Sequence, residues 1–363
     1  MRLFECRYCG HLLYFENTQC ESCRHRLGYL PRRGELCALR SKGDYFQAVG
    51  DPDRHVRFCR NARLDACNWL LEADSLDTFC LACRHNRTIP DLLQPGNLAN
   101  WRRMQTAKHR LFYSLVRLDL PLAIRPDDPR NGLVFDVLAD PPDPSAPRVM
   151  TGHLGGLITL SLAEADDAER ERRRASMGEP YRTLLGHFRH EVGHYFWDRL
   201  VRDGGQIEAF HALFGDERAD YGQALRRHYD AGAPPDWQER FVSAYASAHP
   251  WEDFAETWSH YLHIIDTLDT AEAFGLQIRP KIASSRRPQT SFEADSYAPG
   301  PFEPLIQAWL PLSFALNSLN RSIGQADAYP FVLSVPVVRK LSFMHDLVHR
   351  RLGWPPLAAT LPQ

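Results

Sequence analysis

Apolar residues in NLANWRRMQTAKHRLFYSLVRLDL recur at helical spacing and predict one long helix from about Leu98 to about Leu118, ended by the prolines near 121. GLVFDVL, residues 132–138, predicts a strand, and the prolines of ADPPDPSAP make the next stretch a loop. RVMTGHLGGLITLSL then predicts two strands bent around Gly152, Gly155 and Gly156. Its GLITLSL half alternates as an edge strand would, and an edge strand can hold an extended peptide by backbone hydrogen bonds. His153 in this turn reads as a surface histidine. EADDAERERRRASMGEP predicts a solvated helix and a turn, with Pro180 suited to the first turn of the helix that follows. That helix carries Leu184, Leu185, Phe188, Val192, Tyr195 and Phe196, enough apolar surface to be held inside a domain. Pro250 fits the start of a further helix, and FEPLIQAWLPLSFALNSLNRSIG and PVVRKLSFMHDLVHRRLG predict two more, both buried.

With 363 residues, 44% of them hydrophobic and 24% charged, the chain can bury a sizeable core. A net charge of -2 gives no reason for a polyanion to cover its whole surface. MRLFECRYCG lacks the apolar core of a signal peptide, and no stretch is apolar for long enough to span a membrane, so a cytoplasmic protein is expected. All nine cysteines lie in the first 83 residues. Cys6 with Cys9 and Cys20 with Cys23 form two C-x-x-C knuckles around a short hairpin, the spacing of one tetrahedral zinc. Cys59, Cys67, Cys80 and Cys83 predict a second, and Cys37 is left as a small buried hydrophobe. Four thiolates leave no open position, so both zincs would be structural. Residues 1–92 are therefore expected to be a zinc-ribbon-like domain, with a second domain over 93–363. Ribbons bind nucleic acids or proteins, and Tyr8, Tyr14, Phe15 and Tyr29 could stack on a partner, although most of them are expected to pack around the metal.

LLGHFRHEVGHYFWDRL contains His190, Glu191 and His194 in the H-E-x-x-H pattern, which turns both imidazoles onto one helix face with the carboxylate beside them. Zinc hydrolysis needs a third protein ligand, a position for water and a partner for the histidine rings. HPWEDFAETWSHYLH offers Glu252 and Glu256, four apart on one face of an aromatic-rich helix where unpartnered acids would be costly. The assignment is Glu252 as third ligand and Glu256 as acceptor of a ring N–H. Asp216, Glu217 and Asp220 compete for the ligand role, but they can also cap their helix or pair with arginines such as Arg218 and Arg226. His260, His263, His345 and His349 read as packing or surface residues. Trp197 and Leu200 stand where a metzincin would have glycine and histidine, which excludes that pattern.

The cysteine-rich start, YRTLLGHFRHEVGHYFWDRL, FGDERADY and HPWEDFAETWSHYLH together resemble a bacterial family of zinc-binding metallopeptidases with an N-terminal zinc ribbon. The resemblance covers almost the whole chain. More distantly the chain is similar to gluzincin peptidases such as anthrax lethal factor, in which the ligand glutamate opens an E-x-x-x-E sequence, here Glu252 and Glu256. That similarity implies an oxyanion-binding tyrosine seven residues before the ligand, which is Tyr245 here. The expected fold is α+β: a zinc ribbon, then a zincin-like domain with a small sheet beside the H-E-x-x-H helix and a mainly helical C-terminal half. The expected chemistry is peptide hydrolysis at one catalytic zinc, with Glu191 as general base and a peptide or protein as substrate. The rival is a protein- or nucleic-acid-binding ribbon attached to a non-catalytic zincin-like domain. Retention of Glu191, which zinc binding alone does not require, weighs against it.

Overall fold

A computed structural model describes residues 1–143, 145–177, 183–280, 290–291 and 295–350. The chain forms two compact units, one of residues 1–191 and 266–297 and the other of 192–265 and 298–363. The expectation for Pro180 lies outside the described residues.

The first unit starts with a hairpin, β1 (Phe4–Glu5) paired to β2 (Leu12–Leu13), whose turn carries the first cysteine pair. Five antiparallel strands follow in sequential order: β3 (Arg26–Leu30), β4 (Glu35–Lys42), β5 (Tyr45–Ala48), β6 (Asp51–Phe58) and β7 (Leu70–Glu72). Continuous buried runs in RLGYL and ELCALRSK, with Gly34, Gly43 and Gly50 at positive φ in the connections, mark the strands and turns of this meander. It curls until its ends meet, because Tyr29 N–H donates to Asn68 O at 2.8 Å and Tyr29 bridges Trp69. Gly28 permits the closure: a Cβ there would stand 2.6 Å from Leu70 Cδ2. Cys37 is buried in the sheet's core with Leu30, Leu39, Ala48, Val56 and Leu70, as expected of a small hydrophobe. Phe15 and Tyr29 are buried too, whereas Tyr8 and Tyr14 are exposed.

The same unit contains β8 (Asn86–Thr88), α1 (Asn97–Arg117), β9 (Val134–Leu138), β10 (Gly152–Leu154), β11 (Leu157–Ser161) and α2 (Asp167–Met177). The sheet order is β10-β11-β9-β8, with β9 parallel to both neighbours and β10 antiparallel to β11. Val134 to Val137 are all buried, as befits an inner strand covered on both faces. Phe135 meets Phe112 of α1 and Phe188 of the H-E-x-x-H helix, with ring centroids 6.1 and 5.9 Å away. GLITLSL is therefore not an edge. Gly155 and Gly156, both at positive φ, fold β10 back along β11, so that among the described residues β10 and not β11 is the outer strand on this side of the sheet.

The H-E-x-x-H helix is α3 (Leu184–Phe196), continued by a π-type turn, Trp197–Arg202. The division between units falls within α3 and again within α6 (Pro250–Ala273). In the first unit Arg189 of α3 pairs with buried Asp266 of α6, which also accepts Ser114 Oγ of α1 at 2.8 and 2.9 Å. The second unit adds α4 (Ile207–Phe214), α5 (Tyr221–Ala231), α7 (Glu303–Ser322) and α8 (Val335–Val348). Phe196 stacks on Trp258, and Lys340 of α8 pairs with Asp253 of α6 at 2.6 Å, both buried. Helix α7 departs from expectation. It buries Ile306, Trp309 and Leu312 but leaves Phe314 and Leu319 more than 60% exposed, so it is a surface helix.

Gly193 fixes how closely α3 approaches α6. A Cβ there would stand 3.0 Å from Ala255 Cα and 3.2 Å from Trp258 Cδ1, so only hydrogen fits comfortably. Gly193→Val should lower stability by about 1–3 kcal/mol through overpacking. Denaturant unfolding checks this, and an unchanged midpoint would show that the helix contact yields.

Candidate metal centres

The first cysteine group joins both knuckles. Cys6 Sγ lies 3.6 Å from Cys23 Sγ, and Cys9 Sγ lies 3.7 Å from Cys20 Sγ. A tetrahedron with metal–sulfur bonds of about 2.3 Å has edges of about 3.8 Å, so these thiols are spaced as zinc ligands. The thiols are free, not bridged. The backbone N–H of His11 next to Cys9 pulls its thiol down to about 6, towards the thiolate that a metal needs. The second group, Cys59, Cys67, Cys80 and Cys83, also has its donors within 4.8 Å of one another, with Cys67 and Cys80 3.7 Å apart. All four are buried, whereas Cys9 of the first group is exposed.

His190, His194 and Glu252 form a third group, with one donor atom from each within 4.8 Å of the others. His194 Nε2 is 3.6 Å from Glu252 Oε1, near the ~3.4 Å separation of two donors on one tetrahedral zinc. Two imidazoles and one carboxylate fit a zinc that keeps a fourth position open. The Trp251 ring lies on His194 at 4.0 Å, and Glu252 is 1% exposed. Glu191, on the same helix, is nearly buried at 9%.

The nearer acids have other partners. Asp216 makes a bidentate pair with Arg218, Glu217 Oε2 lies 2.5 Å from His211 Nε2, and Asp220 caps α5 by accepting from Gln223 N–H. Glu256 accepts a hydrogen bond from Ser243 Oγ at 2.6 Å. Ser243 Oγ also accepts the Ala246 N–H, which braces the turn carrying Tyr245. Tyr245 is half-buried. Burial, reinforced by the negative charge of Glu252, pushes its phenol far above the usual range, so the hydroxyl keeps its proton and can donate. Four further histidines serve packing and turns. His153 Nε2 accepts from Gly156 N–H, His260 lies 2.7 Å from the Tyr329 hydroxyl, His263 packs on Trp309, and His345 contacts Tyr261 and Gly300 O.

One site residue was not legible in the sequence. The Tyr221 hydroxyl donates to Glu252 Oε1 at 2.7 Å, the same oxygen that faces His194. Asp220 caps the helix that Tyr221 begins, and the Tyr221 ring packs edge-on against His249 and Trp251. Only the D-Y junction at a helix start hints at it, and a cap does not disclose where the next side chain reaches.

Two histidines and a glutamate from two helices thus form one candidate metal-binding cluster, and two four-cysteine groups form two more. Residues 97–347 match the family described as "Putative zinc-binding metallo-peptidase", and the chain belongs to that family. Residues 3–94 match a zinc-ribbon domain. Uncharacterized proteins of Mycobacterium bovis and of two Mycobacterium tuberculosis strains are each 44% identical over 349 residues, covering 96% of this chain and 95% of theirs. No solved structure matches the chain. Among the described residues no helix is long and apolar enough to cross a membrane.

Tyr221→Phe should weaken zinc at the His190/His194/Glu252 site by ~10-fold while leaving both cysteine sites loaded, since losing a ligand's hydrogen-bond partner costs metal affinity. Competition with a chromophoric chelator reads this out; equal affinities would show that Glu252 needs no such partner.

Proposed function

We propose that the chain is a zinc-dependent peptidase, with His190, His194 and Glu252 as ligands, Glu191 as general base and Tyr245 as oxyanion donor. The observation that carries this reading is Glu191 on the helix that presents both histidines, because metal binding alone has no use for it. The ion, when bound, supplies Lewis acidity, lowering the pKa of a water and polarising a carbonyl. Glu191 takes the proton of the attacking water and returns it to the leaving amine. The Tyr245 hydroxyl, held protonated by its burial, donates to the oxygen on which charge develops, a contribution of about 3 kcal/mol for a preorganised donor. Glu256 braces the Tyr245 turn through Ser243 and is assigned as acceptor for a ligand-histidine N–H.

The two cysteine sites are assigned structural zinc, in a ribbon over 1–92 preceding a gluzincin-like domain over 93–363. Eight unbridged cysteines in metal spacing suit a reducing, cytoplasmic setting. Tyr8 and Tyr14, exposed on the ribbon, are the side chains assigned to contact with protein or nucleic acid.

Elemental analysis should find three zincs per chain, falling to two in the His190→Ala, His194→Ala double variant. Glu191→Gln should retain three and lose cleavage of a peptide library by ~100-fold or more. Two zincs in both proteins, or a Glu191→Gln variant that cleaves like wild type, would move the function to binding through the ribbon.

A further inference from the structure

The buried face of α1 presents Gln105, Lys108 and His109, all at most 5% exposed. Lys108 is fully buried. Its Nζ donates to Asn86 Oδ1 and lies 5.5 Å over the Phe135 ring, and among the described residues it forms no ion pair with a carboxylate. A buried ammonium with only an amide and an aromatic ring for company is costly, so a counter-charge is required. The neighbouring residue supplies the clue. His109 Nε2 lies 3.3 Å from Cys67 Sγ and 3.6 Å from Cys83 Sγ, and Trp69 N–H donates to Cys67 Sγ at 3.3 Å. Gln105 Oε1 accepts from Asn86 Nδ2 and lies 3.9 Å from Cys83 Sγ, which closes a polar layer between α1 and the second cysteine site.

We propose that Lys108 and His109 are the outer shell of the Cys59/Cys67/Cys80/Cys83 metal, Lys108 as its counter-charge and His109 as an N–H donor to its thiolates. Four thiolates around a divalent ion carry a net negative charge, which water relieves at the first site through exposed Cys9 but cannot relieve at the fully buried second site. The requirement is mutual: the metal–thiolate cluster is the partner that makes the Lys108 ammonium affordable in the interior. Burial pushes the Lys108 pKa down and the thiolates of Cys83, Cys80, Cys67 and Cys59 draw it back up, in keeping with that pairing. The consequence reaches past the ribbon. Helix α1 lies within residues 97–347, so a metal bound by ribbon cysteines is a folding requirement of the peptidase-family segment.

The test uses full-length protein loaded with cadmium, whose NMR signals separate the two four-sulfur sites from each other and from the site with nitrogen and oxygen donors. Lys108→Met should lower cadmium affinity at the second site by ~10–100-fold, leave the first site unchanged, and raise the denaturant midpoint of the metal-free chain. His109→Phe should lower the same affinity without the metal-free gain. A purely structural Lys108 would instead lose stability in both states alike, and that outcome, or unchanged second-site affinity in either variant, overturns the proposal. So would X-ray absorption showing nitrogen bound at the second site, because His109 would then be a ligand.

Discussion

The geometry of the histidine–glutamate centre rests on the closeness of α3 and α6 at Gly193 and Ala255. Gly193 stands between the two histidines and Ala255 three residues after Glu252, so the smallest side chains in each motif face each other. A donor separation of 3.6 Å between His194 and Glu252 requires helix backbones this close, since neither side chain has length to spare. The aromatic residues around the contact, Phe196 stacked on Trp258 and Trp251 on His194, fill the space on either side and keep the helices from sliding.

Three of the buried charge sites join elements distant in sequence. Arg189 with Asp266 ties α3 to the far end of α6 and, through Ser114, to α1. Lys340 with Asp253 ties α8 to the near end of α6, and burial pushes the Asp253 carboxyl up to about 7 against the pull of that lysine. Lys108, which pairs with no acid among the described residues, lies with Asn86 and Gln105 in the polar layer against the second cysteine group. Buried pairs of this kind gain little net stability but penalise any arrangement that separates them, so they serve to choose one packing among several.

Much of this was legible in the sequence because the signals are local. The spacing of eight cysteines and of His190 and His194 encodes proximity directly, and apolar periodicity places α1, β9 and α3 to within a few residues. Glu252 was found because two acids one turn apart among tryptophans demand partners. The five-stranded meander went unread, since the cysteines on either side drew the reading and its closure depends on Gly28 lying against Leu70, a contact with no sequence spacing. β11 was misread as an edge because alternation reports which faces are buried, not whether a neighbouring strand is present; the returning β10 is only three residues long. Tyr221 and Lys108 escaped for one reason: each is defined by a partner more than twenty residues away.

The excursion between His194 and Glu252, which holds α4 and α5, does not itself locate Glu252; the helix contact at Gly193 does. Closing a longer or shorter excursion changes the loop entropy only slowly with length. Insertions and deletions between Phe214 and Pro250 are therefore an inexpensive path for descent with modification. They would redraw the surroundings of the His190/His194/Glu252 cluster, including whether a residue like Tyr221 reaches Glu252, without moving the helix contact that brings the cluster together.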